Sequence, residues 1–126
     1  MTQRPPLDVL VVDDEPDVLL MLRGFLRHRD GFGPVREASG GLDAVAQARA
    51  RCPDAVILDL RMPDIDGLET ARLIKARCKR AKIILFSAFM EDSIFDQAAD
   101  AGIDACLPKT TTPDVVADMI TNLCAS

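Results

Sequence analysis

Five times along this chain a short apolar run is followed by a longer stretch with helical spacing, and that alternation restricts the fold more than any other feature. Leu7 to Val12 reads as a first strand. Val18, Leu19, Leu22, Phe25 and Leu26 then predict a helix from Pro16 to about Arg29, with proline in its first turn. Asp30-Gly31-Phe32-Gly33-Pro34 reads as a loop, and Val35 to Ala38 as a short second strand. Gly40-Gly41 opens a second helix marked by Leu42, Val45, Ala46 and Arg49, closed before Pro53. Ala55 to Leu58 is a third strand, apolar at every position, and the loop Asp59 to Asp66 follows it. Gly67 to about Cys78 is a third helix with Leu68, Ala71 and Ile74 on one face, and Ile83 to Phe86 a fourth strand. Asp92 to Ala101 is a fourth helix, which Gly102 ends as a left-handed cap. After a fifth strand, Ile103 to Leu107, Thr112 caps a last helix with Pro113 at its first position and Val115, Val116, Met119, Ile120 and Leu123 on its buried face.

Strands that are apolar without alternation are buried on both faces, so five such units imply a parallel sheet between two layers of helices. A closed barrel of eight units needs roughly twice this length, so an open doubly wound α/β sheet in three layers is expected. Ligands of such sheets bind beyond the carboxyl ends of the strands, where the strand order reverses.

Composition narrows the function classes. The 126 residues fit a single domain, 1–126, and a longer parent chain continuing after Ser126 fits the sequence equally. With 48% hydrophobic residues, no Trp or Tyr and five Phe, the core must be built from aliphatic side chains. The net charge of −5 argues against direct nucleic-acid binding by this segment, which needs a basic face. The basic run from Lys75 to Lys82 reads as a solvated helix end, where cations suit the negative pole. Cys52, Cys78, Cys106 and Cys124 show no C-x-x-C spacing, and His28 has no cysteine near it, so no zinc site is expected. The start, Met1-Thr2-Gln3-Arg4-Pro5-Pro6, is too short and polar for a signal peptide, and no apolar run reaches membrane-spanning length. The expectation is a cytoplasmic protein with reduced thiols and no membrane contact.

The polar residues after the strands form a coherent set. Asp13-Asp14-Glu15 follows the first strand, Asp59 the third, Ser87 the fourth and Lys109 the fifth. If the first and third strands are neighbours, about 4.8 Å apart, Asp13, Asp14 and Asp59 share one small pocket. Like charges so close raise each other's pKa or recruit a cation, and carboxylates beside a wet cleft suit Mg²⁺, with Mn²⁺ as a substitute. Taken singly, each group has an ordinary use: an acidic helix start, a serine turn, a lysine ion pair. Taken together they describe phosphoryl transfer, with Asp59 as the nucleophile that forms an acyl phosphate and a cation plus Lys109 neutralising the transferring oxygens.

Val11-Val12-Asp13-Asp14-Glu15, Leu58-Asp59-Leu60-Arg61-Met62-Pro63-Asp64-Ile65-Asp66-Gly67, Phe86-Ser87-Ala88 and Leu107-Pro108-Lys109 occur in the order and spacing of the response-regulator receiver domains of two-component signalling, and the chain resembles that family over nearly its whole length. The resemblance implies a flavodoxin-like (βα)5 fold with strand order 2-1-3-4-5, and phosphorylation at Asp59. It implies direct Mg²⁺ ligation by Asp14, Asp59 and the backbone carbonyl of Arg61, with Asp13 acting through water. Lys109 would pair with the phosphoryl group, and Ser87 and the backbone N–H of Ala88 would bond its oxygens. The donor would be a histidine kinase or a histidine phosphotransfer protein, and the chain would be no enzyme beyond its own phosphorylation and dephosphorylation. The output would pass through the surface of the fourth helix, fifth strand and fifth helix, a possible homodimer contact, near Phe89, Met90, Ile94 and Phe95.

Cys106 occupies the position where the family usually carries an aromatic switch residue, which keeps open the alternative of a phosphorylation-independent binding scaffold. Thr110 follows the lysine where the family often has proline, and Pro108 ends a strand, which an edge position tolerates. Arg61 and Phe89 flank the pocket and are candidates for tuning the phosphoryl lifetime. A flavin-binding module of the same sheet order would need a glycine-rich phosphate loop where Asp13-Asp14-Glu15 stands. A phosphatase with an aspartyl intermediate would need a substrate cap for which this length leaves little room.

Overall fold

The structure, a computed structural model, describes residues 5–88 and 90–125. The elements are β1 (Leu7–Val12), α1 (Pro16–Leu26), β2 (Phe32–Ala38), α2 (Gly41–Ala50), β3 (Ala55–Leu58), α3 (Gly67–Arg77), β4 (Lys82–Ser87), α4 (Asp92–Asp100), β5 (Ala105–Pro108) and α5 (Pro113–Leu123). The strands form one parallel sheet in the order β2-β1-β3-β4-β5. The chain runs outward from β1 to β2, then crosses back to β3, so the switch point lies between the carboxyl ends of β1 and β3.

Period-two alternation sends successive side chains to opposite faces, and each face finds a helical layer. Leu10, Val12, Val56, Leu58, Ile83 and Leu85 pack with Val45, Leu68, Ala71, Ile74 and Ala98 from α2, α3 and α4. Val9, Val11, Ile57, Ile84 and Phe86 pack with Leu19, Leu22, Leu26, Val116, Ala117 and Ile120 from α1 and α5. Among the described residues Phe86 is the only buried aromatic, so the core rests on aliphatic side chains, each contributing about 1.5–3 kcal/mol when fully buried.

Several sequence expectations need correction. Helix α1 ends at Leu26, not near Arg29, because the N–H groups of His28 and Arg29 bond the carbonyls of Phe25 and Leu26 in a tightened last turn. Strand β2 begins at Phe32, inside the expected loop, and carries Pro34, which is tolerated because β2 is an edge strand with an irregular register beside Leu7. Strand β4 runs from Lys82 to Ser87, so Ser87 ends the strand rather than following it. Strand β5 covers Ala105–Pro108, and its last residue sits on the free edge. Val115, expected to face the core, is 43% exposed, since α5 buries Val116, Ala117 and Ile120. Thr112 takes the N-cap position of α5 but its side chain makes no capping bond. Gly102 closes α4 with φ +85°, as expected of a left-handed cap.

The thiols differ as well. Cys52 and Cys78 form a disulfide, with Cα atoms 5.5 Å apart, in which Cys106 and Cys124 take no part. Cys52 precedes β3 and Cys78 precedes β4, and those neighbouring strands start at the same edge, so 26 residues of sequence separation collapse to contact. Residues 1–4 and Phe89, named above, lie outside the described residues. Among the described residues no helix is long and apolar enough to cross a membrane.

Candidate functional site

The acidic residues stand where hydrogen bonding leaves no freedom to the backbone. Asp13 extends β1 by donating its N–H to the Ala38 carbonyl at 3.1 Å, and Asp59 extends β3 by donating to Val12 at 3.0 Å. One oxygen of each carboxylate is held locally: Glu15 N–H donates to Asp13 Oδ1 at 2.9 Å, and Leu60 N–H to Asp59 Oδ1 at 2.8 Å. The other oxygen of each faces the switch-point cleft. Asp13 and Asp59 are buried, Asp14 is exposed, and one oxygen from each of the three lies within 4.8 Å of the others.

Lys109 crosses into this cluster from the turn after β5. Its backbone N–H donates to the Ser87 carbonyl at 3.1 Å, which ties the turn to the end of β4. Its Nζ lies 3.0 Å from Asp13, 2.9 Å from Glu15 and 3.1 Å from Asp59. Burial by itself would lower the ammonium's pKa, but hydrogen bonds to Glu15, Asp13 and Asp59 outweigh it and hold the pKa above its ordinary value. For Asp13, burial is the dominant influence and raises its carboxyl above the usual range, against the opposing bonds from Glu15 N–H and Lys109. With Asp14 beside the three carboxylates paired to one ammonium, the site keeps a net negative charge. An all-oxygen donor set with one member in solvent fits a hard divalent cation that keeps part of its water.

The expected residues therefore meet as follows. Asp13, Asp14, Asp59 and Lys109 converge. Ser87 is fully buried at the end of β4, and the exposed Ala88 and Arg61 sit on the loops of the same edge. The chain matches the model of the response regulator receiver domain over residues 9–121.

This chain belongs to the response-regulator receiver domain family.

The receiver is 36% identical over 119 residues to the transcriptional activator protein ExaE of Pseudomonas putida, covering 94% of this chain and 56% of that protein. It is 33% identical over 114 residues to the response regulator protein VraR of Staphylococcus aureus, covering 90% of this chain and 54% of that protein. The chain thus spans about half the length of the curated relatives it matches. Among solved structures, a two-component response regulator of the LuxR family from Aurantimonas sp. SI85-9A1 superimposes with a TM-score of 0.88 at 27% identity, covering 96% of this chain and 86% of that one. The acidic cluster of Asp13, Asp14 and Asp59 matches the phosphorylation pocket of receiver domains.

Sequence reasoning missed three supports of this receiver pocket. Glu15 was read only as part of an acidic run, yet it is a direct partner of Lys109. Asp64 closes the β3–α3 loop onto α2: its carboxylate accepts from the N–H groups of Gly41, Leu42 and Ile65 at 3.0, 2.9 and 2.8 Å. The bond from Leu42, with those from Ile65 and Gly41, holds the Asp64 carboxyl below the usual carboxylate range. The one available signal was that Gly40-Gly41 starts a helix with no capping side chain of its own. Gly67 begins α3 so close to the loop after β3 that a Cβ would press on the Asp59 carbonyl and stand 2.9 Å from Leu60 Cα.

Proposed function

We propose that Asp59 is the phosphoacceptor of this receiver and that its cleft-facing Oδ2 is the attacking atom. The observation that carries the reading is the convergence of Asp59 Oδ2 and the Lys109 ammonium, 3.1 Å apart, beside two further carboxylates at the switch point. The Leu60 N–H fixes Asp59 Oδ1, which leaves Oδ2 pointed at the cleft. Attack on the phosphorus of a phosphohistidine forms an acyl phosphate and breaks the P–N bond, and the donor imidazole takes up a proton as it leaves. Lys109 then exchanges its bond to the carboxylate for one to a phosphoryl oxygen, and Ser87 and the Ala88 N–H are the donors assigned to the remaining oxygens. Asp14, Asp59 and the Arg61 carbonyl would hold Mg²⁺, or Mn²⁺ in its place, with Asp13 engaged through water. A divalent cation bound there supplies charge neutralisation for the phosphoryl oxygens.

The donor in this reading is a histidine kinase or histidine phosphotransfer protein, met in the cytoplasm. The chain is the receiver part of a longer regulator, a placement supported by the share of each curated relative that it spans. Phosphorylation biases the surface of α4, β5 and α5, which is also the proposed homodimer contact: Phe95 on α4 and Val115 on α5 are 48% and 43% exposed, whereas Met90 and Ile94 pack against the core. Because Cys106 is small, the readout passes through Ser87 and the loop before α4 rather than through a rotating ring.

Incubation with acetyl phosphate and Mg²⁺ should add one phosphoryl group to the wild type and none to Asp59→Asn, by intact-mass spectrometry. Equal labelling of the two proteins would overturn the assignment.

A further inference from the structure

At the amino-terminal edge of the sheet, a full strand length from the acidic pocket, the turns after α2 and α3 meet at Cys52 and Cys78. The two sulfurs differ in access: Cys52 is exposed, and Cys78 is 3% exposed. Both line an open cavity of about 400 Å³ whose walls carry Arg77, Lys79 and Arg80. The acidic residue of that cavity, Asp54, is engaged by the backbone N–H of Asp8 at 2.8 Å. Cys78 Sγ lies 3.4 Å from the Ala48 carbonyl, so a reduced thiol there finds an acceptor without rearrangement. Both redox states are therefore accommodated by the same backbone.

The geometry points to a reversible dithiol–disulfide site at Cys52 and Cys78, oxidised by an anionic low-molecular-weight disulfide of the glutathione class. The exposed Cys52 thiolate attacks one sulfur of the small disulfide, forming a mixed disulfide and expelling one small thiolate, which is protonated. The Cys78 thiolate then attacks the Cys52 sulfur, closes the internal bond and expels the second small thiolate. The protein loses two protons and two electrons, and the small disulfide gains them as two thiols. The cationic wall formed by Arg77, Lys79 and Arg80 concentrates an anionic oxidant at the exposed sulfur. The internal bond closes a segment that contains β3, Asp59 and α3, so oxidation restricts the unfolded chain, while the pocket at the opposite edge keeps its geometry. The inference stands apart from the phosphoryl reading and is tested without it.

The experiment starts from reduced, desalted full chain treated with glutathione disulfide, followed by intact mass and non-reducing peptide mapping. The wild type should lose the mass of two hydrogens, with the linkage mapped to Cys52 and Cys78, and regain it in excess reduced glutathione. Cys78→Ala should accumulate one glutathione adduct on Cys52, and Cys52→Ala should resist modification at Cys78. At low salt, glutathione disulfide should react about tenfold faster than uncharged hydroxyethyl disulfide, each rate normalised to a free small thiol. Linkage through Cys106 or Cys124, equal reactivity at Cys52 and Cys78, a bond that reduced glutathione cannot open, or no preference for the anionic oxidant would each overturn the proposal. Should either variant fail to fold, the mapping and reversibility of the wild type still decide.

Discussion

Replacing Lys109 by Met keeps most of the side chain's apolar length and deletes the ammonium at the centre of the pocket. Glu15 is 62% exposed, so its lost pair counts for under about 1 kcal/mol. Asp13 and Asp59, 2% and 7% exposed, each lose a charge-assisted hydrogen bond, worth roughly 1.5–3 kcal/mol apiece. The full sum is not reached, because a stranded carboxylate escapes by taking up a proton. From an ordinary carboxyl pKa that escape costs about 4 kcal/mol at pH 7, at about 1.4 kcal/mol per pH unit. The expected deficit in chelator-treated buffer at neutral pH is therefore about 2–4 kcal/mol, read by urea unfolding. The sign of its pH dependence follows. Without Lys109 the Asp13 carboxyl, already raised by burial, has a folded pKa raised further above its unfolded value, so its contribution is favourable at low pH and is lost as pH rises through the folded value. The deficit should shrink as pH is lowered from 7 towards 5, and it should also shrink when Mg²⁺ replaces the missing charge. A deficit below about 1 kcal/mol that is indifferent to pH would mean the pair behaves as a solvated surface contact, and the electrostatic account of the pocket would be wrong.

Gly67→Ala should cost roughly 2–3 kcal/mol in urea unfolding and slow acetyl phosphate labelling as well, because the added Cβ displaces the backbone of Asp59 and Leu60 rather than a yielding side chain; stability and labelling both like wild type would count against that contact. Asp64→Ala should lose about 1 kcal/mol at neutral pH and low salt, the usual value of a helix cap. Since the folded pKa of Asp64 is lowered, its contribution is present above the unfolded value near 4 and is lost as pH falls through the folded value, so the gap should narrow below about pH 4. A gap that widens in acid would contradict the role.

The sheet was legible because apolar strands between helical stretches report burial on both faces, a local property of each segment. Asp13, Asp59 and Lys109 were legible because each directly follows an apolar strand, and parallel strands bring their carboxyl ends to one edge. Segment ends were less so: Pro34 lies in a glycine-flanked run that reads as a loop, and Val115 could not be told from a core position without the rotation of its helix. The Asp64 cap on α2 joins residues more than twenty apart through the two backbone donors Gly41 and Leu42, and the uncapped glycine start of that helix does not say which side chain reaches it.

Sequence alone determined the layered α/β class, the acidic pair after β1, the acid that ends β3 and the lysine after β5, since periodicity and position along each strand carry that information. Tertiary structure alone decided that Glu15 shares Lys109, that Gly67 bears on the Asp59 backbone, and that Cys52 meets Cys78. Those contacts depend on which strands are neighbours and on how far each turn reaches. Such distances are set when the sheet closes its register, and no segment of the chain encodes them by itself.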